Sequence, residues 1–167
     1  MKGRDFDEIQ ENADSDGNGT YGGGVCDGEV TDCEIVGNTA YGYGGGAYQS
    51  VVDTSWIDSN SAYVGGGTYY GTVRGCVVCN NEAQGAGGGA GFGRLINCTV
   101  VWNYAYDIGG GMYKGNLHNS IVWANEAGNS SAQTYGVEVV YSCLPESVAG
   151  EGNVNKDPQL RAFGRKI

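Results

Sequence analysis

Apolar and polar positions recur along this chain in short runs, and the runs come back at a fixed distance. Ile9, Ile35, Ile57, Val78, Val100 and Val122 each stand three residues before an asparagine, at Asn12, Asn38, Asn60, Asn81, Asn103 and Asn125. Those asparagines are separated by 26, 22, 21, 22 and 22 residues. Val30, Val52, Val73, Leu95 and Leu117 precede the asparagine by eight, and Cys33, Ser55, Cys76, Cys98 and Ser120 precede it by five. An alanine follows it by two, at Ala40, Ala62, Ala83, Ala105 and Ala127. Each column keeps one kind of side chain, so residue i lies over residue i+22 and each copy buries its face against its neighbours.

The runs CEIV, CVV, CTVV and SIVW are too short for helices and are bounded by Gly and Asn, which makes them strands. Strand over strand every 22 residues predicts an all-β fold, a single-stranded right-handed parallel β-helix of about six coils of about 22 residues. The right hand follows from the default crossover and from a period that is not a multiple of six. One domain over 1–167 is expected, with an irregular C-terminal segment from 144. The first coil is longer than the others, and Met1 stands almost inside a coil with no capping helix. The chain is therefore expected to be a piece of a longer protein, or to associate end to end or by its sheet edges.

Glycine triplets mark the same period: Gly22–Gly24, Gly44–Gly46, Gly65–Gly67, Gly87–Gly89 and Gly109–Gly111. A corner where coil approaches coil, and where φ turns positive, explains them. Asparagine is the other residue that visits the left-handed region, and stacked Asn amides hydrogen-bond from coil to coil.

Composition narrows the partners. The net charge is −10, with nine Lys plus Arg thinly spread, which argues against nucleic acid. No run is long and apolar enough to span a membrane, and the first ten residues, MKGRDFDEIQ, carry no apolar signal core.

The copies EIVGNTAYGYGGGAY and VVWNYAYDIGGGMY, with the closing YSCLPESVAGEGNVNKDPQL, resemble the right-handed parallel β-helix (pectin-lyase-like) proteins. More narrowly, they are similar to Gly-rich bacterial surface proteins such as the polymorphic outer membrane proteins. The resemblance covers roughly residues 7–160 and is specific for fold rather than activity. It implies a secreted or cell-surface location and a structural or adhesion role, with carbohydrate or a host or neighbouring-cell surface as partner. Its alternative is a carbohydrate-active enzyme, a polysaccharide lyase or glycoside hydrolase.

Candidate chemistry is sparse. Asp14, Asp16, Asn18 and Thr20 fall at positions 1, 3, 5 and 7 of DSDGNGT, a spacing that arranges oxygens around calcium. Val25 stands where that motif needs Glu, and a solvated Asx turn explains the same residues. Tyr48, Tyr69 and Tyr113 share a column broken by Gly91, and Tyr41, Tyr63 and Tyr106 share another; each is a ring stack or a glycan-binding face. Lyases of the resembling fold hold calcium against a uronate with acids from adjacent coils and use Arg or Lys as base. That makes Asp53 and Arg74, one coil apart, and His118, two coils further on, the catalytic candidates, with Asp32, Glu34, Asp58 and Arg94 in neighbouring columns. Coils of 21 or 22 residues leave no loops to wall a cleft, so a surface ion pair explains Asp53 and Arg74 better.

Cys33, Cys76, Cys98 and Cys143 are expected as compact inward groups, with a Cys76–Cys98 or Cys26–Cys33 disulfide open. Cys76 and Cys79 should face opposite sides of a strand, and no second pair or His lies at metal spacing, which argues against zinc. The stretch GGGAGFG at 87–93 is one copy of the corner, not a phosphate loop. A lone histidine without a nucleophile elbow supports no Ser-His-Asp triad.

Overall fold

A computed structural model describes residues 7–10, 21–130 and 133–160. It is a parallel β-solenoid of about six turns of about 22 residues, and among the described residues every regular element is a strand. The first sheet stacks Asp7–Gln10, Cys33–Val36, Trp56–Asp58, Val77–Cys79, Thr99–Val101 and Ile121–Trp123. The third stacks Ser61–Ala62, Glu82–Ala83, Tyr104–Ala105 and Glu126–Ala127.

The second sheet begins as two short strands per coil, such as Ala47–Tyr48 and Val51–Asp53. It continues as single seven-residue strands, Ala90–Ile96, Met112–His118 and Thr134–Val140. The interruption persists inside the long strands: Phe92 and Lys114 are skipped one for one in the pairing and hold φ of 53° and 54°, a left-handed turn that Asp27, Gln49 and Tyr70 repeat at the same place in their coils with φ of 52°, 48° and 49°.

Ile35, Ile57, Val78, Val100 and Val122 form one interior file, paired in register and each 0 % exposed. Val52, Val73, Leu95, Leu117 and Val139 form a second buried file. Stacking apolar groups a strand spacing apart removes each from water only because its neighbours do the same, so a lone coil has no core.

The asparagine column is fully buried and builds a ladder. In Asn60, Nδ2 donates to Asn81 Oδ1 at 3.0 Å and to Ile35 O at 2.9 Å, and the Asn60 backbone N–H donates to the same Oδ1 at 2.9 Å. Asn38, Asn81 and Asn103 repeat these contacts. At the C-terminal end the period would place Ser147 next, but Gln133 takes the rung: its Oε1 accepts from Asn125 N at 2.8 Å and Nδ2 at 3.1 Å, and its Nε2 donates to Asn125 O. A longer amide reaching in from another part of the coil thus closes the ladder.

Two expectations need correction. The ladder asparagines are not at positive φ. Left-handed corners are carried instead by residues as varied as Thr54, Tyr70, Asn80, Trp102 and Ala124. In the triplets only the first glycine needs positive φ, 62° to 72° from Gly22 to Gly109. The second and third are there for space: a Cβ on Gly66 would meet Glu82 O at 2.3 Å, and one on Gly46 would meet Gly67 O at 2.7 Å. Cys143 is also misplaced by the period. Ser142 occupies the inward position, buried and accepting from Ser120 N at 3.1 Å, while Cys143 pairs with Ile121 on the outward column.

Candidate functional site

The second residue after the glycine triplets at 44–46, 65–67, 87–89 and 109–111 projects from the second sheet, and the in-register pairing Tyr48↔Tyr69↔Gly91↔Tyr113↔Tyr135 aligns it along the solenoid. Tyr48 and Tyr69 stack with centroids 5.9 Å apart and planes at 4°, and Tyr113 and Tyr135 do so at 5.9 Å and 18°. Tyr21 and Tyr43, just before their triplets, lie alongside, with Tyr21 4.7 Å from Tyr48 and Tyr43 4.6 Å from Tyr69.

The break at Gly91 is filled by the residue that follows it. Phe92 lies 5.5 Å from Tyr69 and 5.3 Å from Tyr113, and Tyr70 stacks on it at 5.4 Å. A Cβ on Gly91 would meet Tyr69 Cδ2 at 2.9 Å, so glycine makes room for the ring above it. Lys114 sets its Nζ 5.1 Å from the Tyr113 ring and 5.3 Å from Phe92.

The result is a continuous aromatic lane. Tyr48–Tyr69, Tyr70–Phe92 and Tyr113–Tyr135 stack face to face, while Tyr69–Tyr70 and Phe92–Tyr113 meet edge-on. Burial, then the neighbouring phenols Tyr43 and Tyr70, pushes the Tyr69 hydroxyl up to about 12. The Tyr48 hydroxyl is also raised, by desolvation first and then by Tyr21 and Asp27.

Sequence reasoning placed Tyr48, Tyr69 and Tyr113 in this lane and missed Tyr135, Tyr21, Tyr43, Tyr70 and Phe92. Tyr135 lies one period beyond Tyr113 and was legible. Phe92 stands over Tyr70 at the period, but its entry into the lane was not legible because it depends on the left-handed backbone at that position.

The column of Tyr41, Tyr63 and Tyr106 behaves differently. These side chains are 76 %, 54 % and 52 % exposed. Among the described residues Tyr41 and Tyr63 make no ring contact, and Tyr106 meets Tyr104 edge-on at 5.0 Å, so the expected stack is absent there. Gln84 separates Tyr63 from Tyr106 in the column. The Tyr106 hydroxyl is raised by the Glu82 carboxylate, then by desolvation.

Asp53 and Arg74 pair in register, and the guanidinium grips the carboxylate with both prongs, Nε to Oδ1 at 2.8 Å and Nη2 to Oδ2 at 3.1 Å. That hydrogen bond, then the charge behind it, raises the Arg74 pKa further. His118 stands in the same column beyond Ile96 and touches Tyr141 edge-on at 5.7 Å, so it does not join the pair. Asp32 accepts from Thr54 Oγ1 at 2.8 Å, and Asp58 from Asn80 Nδ2 at 2.9 Å. Asp14, Asp16, Asn18 and Thr20 lie outside the described residues, among which no three His, Cys, Asp or Glu side chains are grouped to hold a metal.

All six cysteines are free thiols. Burial pushes the Cys76 thiol up to about 12 and raises Cys98 as well. Cys76 points inward and Cys79 outward, as the spacing requires.

No family model, curated protein or solved structure matches this chain.

Proposed function

We propose that this chain is a structural or adhesion-type module of an exported bacterial surface protein, a rigid β-solenoid whose sides meet carbohydrate or a host or neighbouring-cell surface. Within that reading it belongs with the right-handed, pectin-lyase-like helices and, more narrowly, with Gly-rich surface proteins. The observation that carries the proposal is the aromatic lane. Eight rings, from Tyr21 to Tyr135, run along one side of a ladder-stiffened rod with Lys114 among them.

Tyrosine edges and hydroxyls offer both apolar contact and hydrogen bonding to sugar rings and their hydroxyls. A glycan array on the purified chain tests the reading. Binding of a defined glycan class that is lost in Tyr113→Ala and Tyr135→Ala supports it, and an array blank across neutral and anionic glycans removes the carbohydrate part.

The alternative, a polysaccharide lyase or glycoside hydrolase, would use Asp53, Arg74 and His118. It is disfavoured because Asp53 already spends both oxygens on Arg74, and because coils this short raise no walls beside the pair. Unsaturated product from polyuronates that vanishes in Arg74→Ala would reverse that preference. Calcium at Asp14, Asp16, Asn18 and Thr20 stays a proposal, tested by calorimetric titration with the metal alone.

A further inference from the structure

Three of the four lysines and arginines among the described residues, Arg74, Arg94 and Lys114, stand on the outward face of the second sheet; Lys156 is the fourth. Arg74 pairs in register with Ile96, and Arg94 with Thr72 on one side and Asn116 on the other. Each cation therefore lies one coil along and two residues back from the one before it. That makes a diagonal with steps of about 8 Å between Cα atoms.

The diagonal is neutralised at one end only. Asp53 holds Arg74 through both carboxylate oxygens, at 2.8 and 3.1 Å. Among the described residues Arg94 and Lys114 form no ion pair, although both are exposed and the chain carries a net charge of −10. Across the ladder from Arg94 stand only the neutral Thr72 and Asn116, and Asn116 donates its amide to Glu138 at 2.8 Å. Lys114 lies over Tyr113 and Phe92, and Tyr70 stacks on Phe92. Two like charges held together beside an aromatic shelf repel, and an anion bound between them turns that repulsion into attraction.

We propose that Arg94 and Lys114 form the anion-binding subsite of the lane and that its ligand is a glycan bearing sulfate groups, a specificity that rests on the carbohydrate reading above. The sugar packs against Tyr70, Phe92 and Tyr113 while the two cations close on a sulfate from different sides. Sulfate suits this arrangement better than carboxylate because it offers three terminal oxygens to donors that do not share a plane. Acids bound the face at both ends, Asp27 and Glu29 in the first coil of the sheet and Glu138 in the last. A nucleic acid, charged at every residue, would run onto them, whereas a glycan sulfated at intervals places its charge at the centre alone.

The test is isothermal titration of the full chain at low salt with three oligosaccharides of equal length. One is a sulfated glycosaminoglycan, one the same chain chemically desulfated so that its carboxylates remain, and one a neutral glucan. The sulfated chain should bind at least about tenfold tighter than the other two and weaken as salt rises. Arg94→Gln and Lys114→Gln should each cost about tenfold, since each removes a charge-assisted donor. Gln49 already holds the Lys114 position three coils earlier at φ of 48°, so the backbone accepts that substitution. Lys156→Gln, off this face, should change nothing, and Asp53→Asn, which releases Arg74, should tighten the sulfated ligand. If the desulfated chain or the glucan binds as tightly as the sulfated one, or both cation variants bind it unchanged, the proposal falls and the carbohydrate reading stands. Polyglutamate binding as tightly would assign the cations to an acidic peptide and overturn the proposal too. Binding by none of the three oligosaccharides also overturns it, and the glycan array then decides the wider reading alone.

Discussion

Replacing Asn81 by alanine removes four buried hydrogen bonds at once. Asn60 N and Nδ2 lose the shared acceptor Asn81 Oδ1, at 2.9 and 3.0 Å, and Asn81 Nδ2 no longer reaches Ile57 O or Asn103 Oδ1, both at 2.9 Å. Asn60 Nδ2 keeps Ile35 O and Asn103 Oδ1 keeps Asn81 N, so those two groups are partly rescued. The Asn60 backbone N–H is left facing apolar surroundings. A buried group orphaned in this way costs about 1–3 kcal/mol, and with the other lost bonds the total is about 3–5 kcal/mol. For a chain of this length that lowers Tm by roughly 10 °C.

The adjacent Asn80 is the control. It is exposed, holds φ of 53° and donates once to Asp58, so Asn80→Ala should cost only about 1 kcal/mol. Asn81→Asp separates hydrogen bonding from packing: it keeps the shape and the acceptor but loses both donor bonds and adds a charge. Thermal melts followed by far-ultraviolet circular dichroism read all three. If Asn81→Ala melted with Asn80→Ala, or Asn81→Asp melted near the unaltered protein, the ladder would be filling space rather than holding coils together.

Gly66→Ala should destabilise far more than Gly37→Ala in the same melts. The first drives a methyl into Glu82 O, whereas the second meets nothing within 4 Å and costs only the left-handed backbone, about 1 kcal/mol. Stability should be level below pH 9 and decline from there toward 12, since the unfolded chain ionises Cys76 near the ordinary value of 9.0 while the folded thiol holds its proton to about 12. That group contributes up to about 4 kcal/mol, measured by denaturant midpoints across the range, and a midpoint that rose with pH would contradict it. Asp53→Asn should leave Tm unmoved within a melting curve's resolution, because Arg74 is exposed, Asp53 is only half-buried, and solvent screens the pair.

The register of the lane shows where sequence and structure part. Tyr48, Tyr69 and Tyr113 were legible because a period of 22 fixes which residue lies over which. The same rule yields the Ile35–Val122 file and the Asn38–Asn125 ladder. It fails wherever one coil departs from the average: at Gly91, where the tyrosine column lacks a ring and the next residue, Phe92, supplies one; at Cys143, displaced by Ser142; and at Gln133, which enters the ladder outside the period. Tyr41 and Tyr63 share a column and yet do not stack, because a shared position fixes the backbone spacing and leaves the rotamer free.

By itself the sequence determined the repeat and therefore the architecture, since stacked coils bury like against like and no other arrangement serves six copies at once. Tertiary structure alone decided which glycines exist for φ and which for clearance, how the C-terminal rung is closed, and which rings form a lane. Those outcomes depend on ångström-scale approach between residues far apart in the chain, and no one-dimensional pattern encodes such distances.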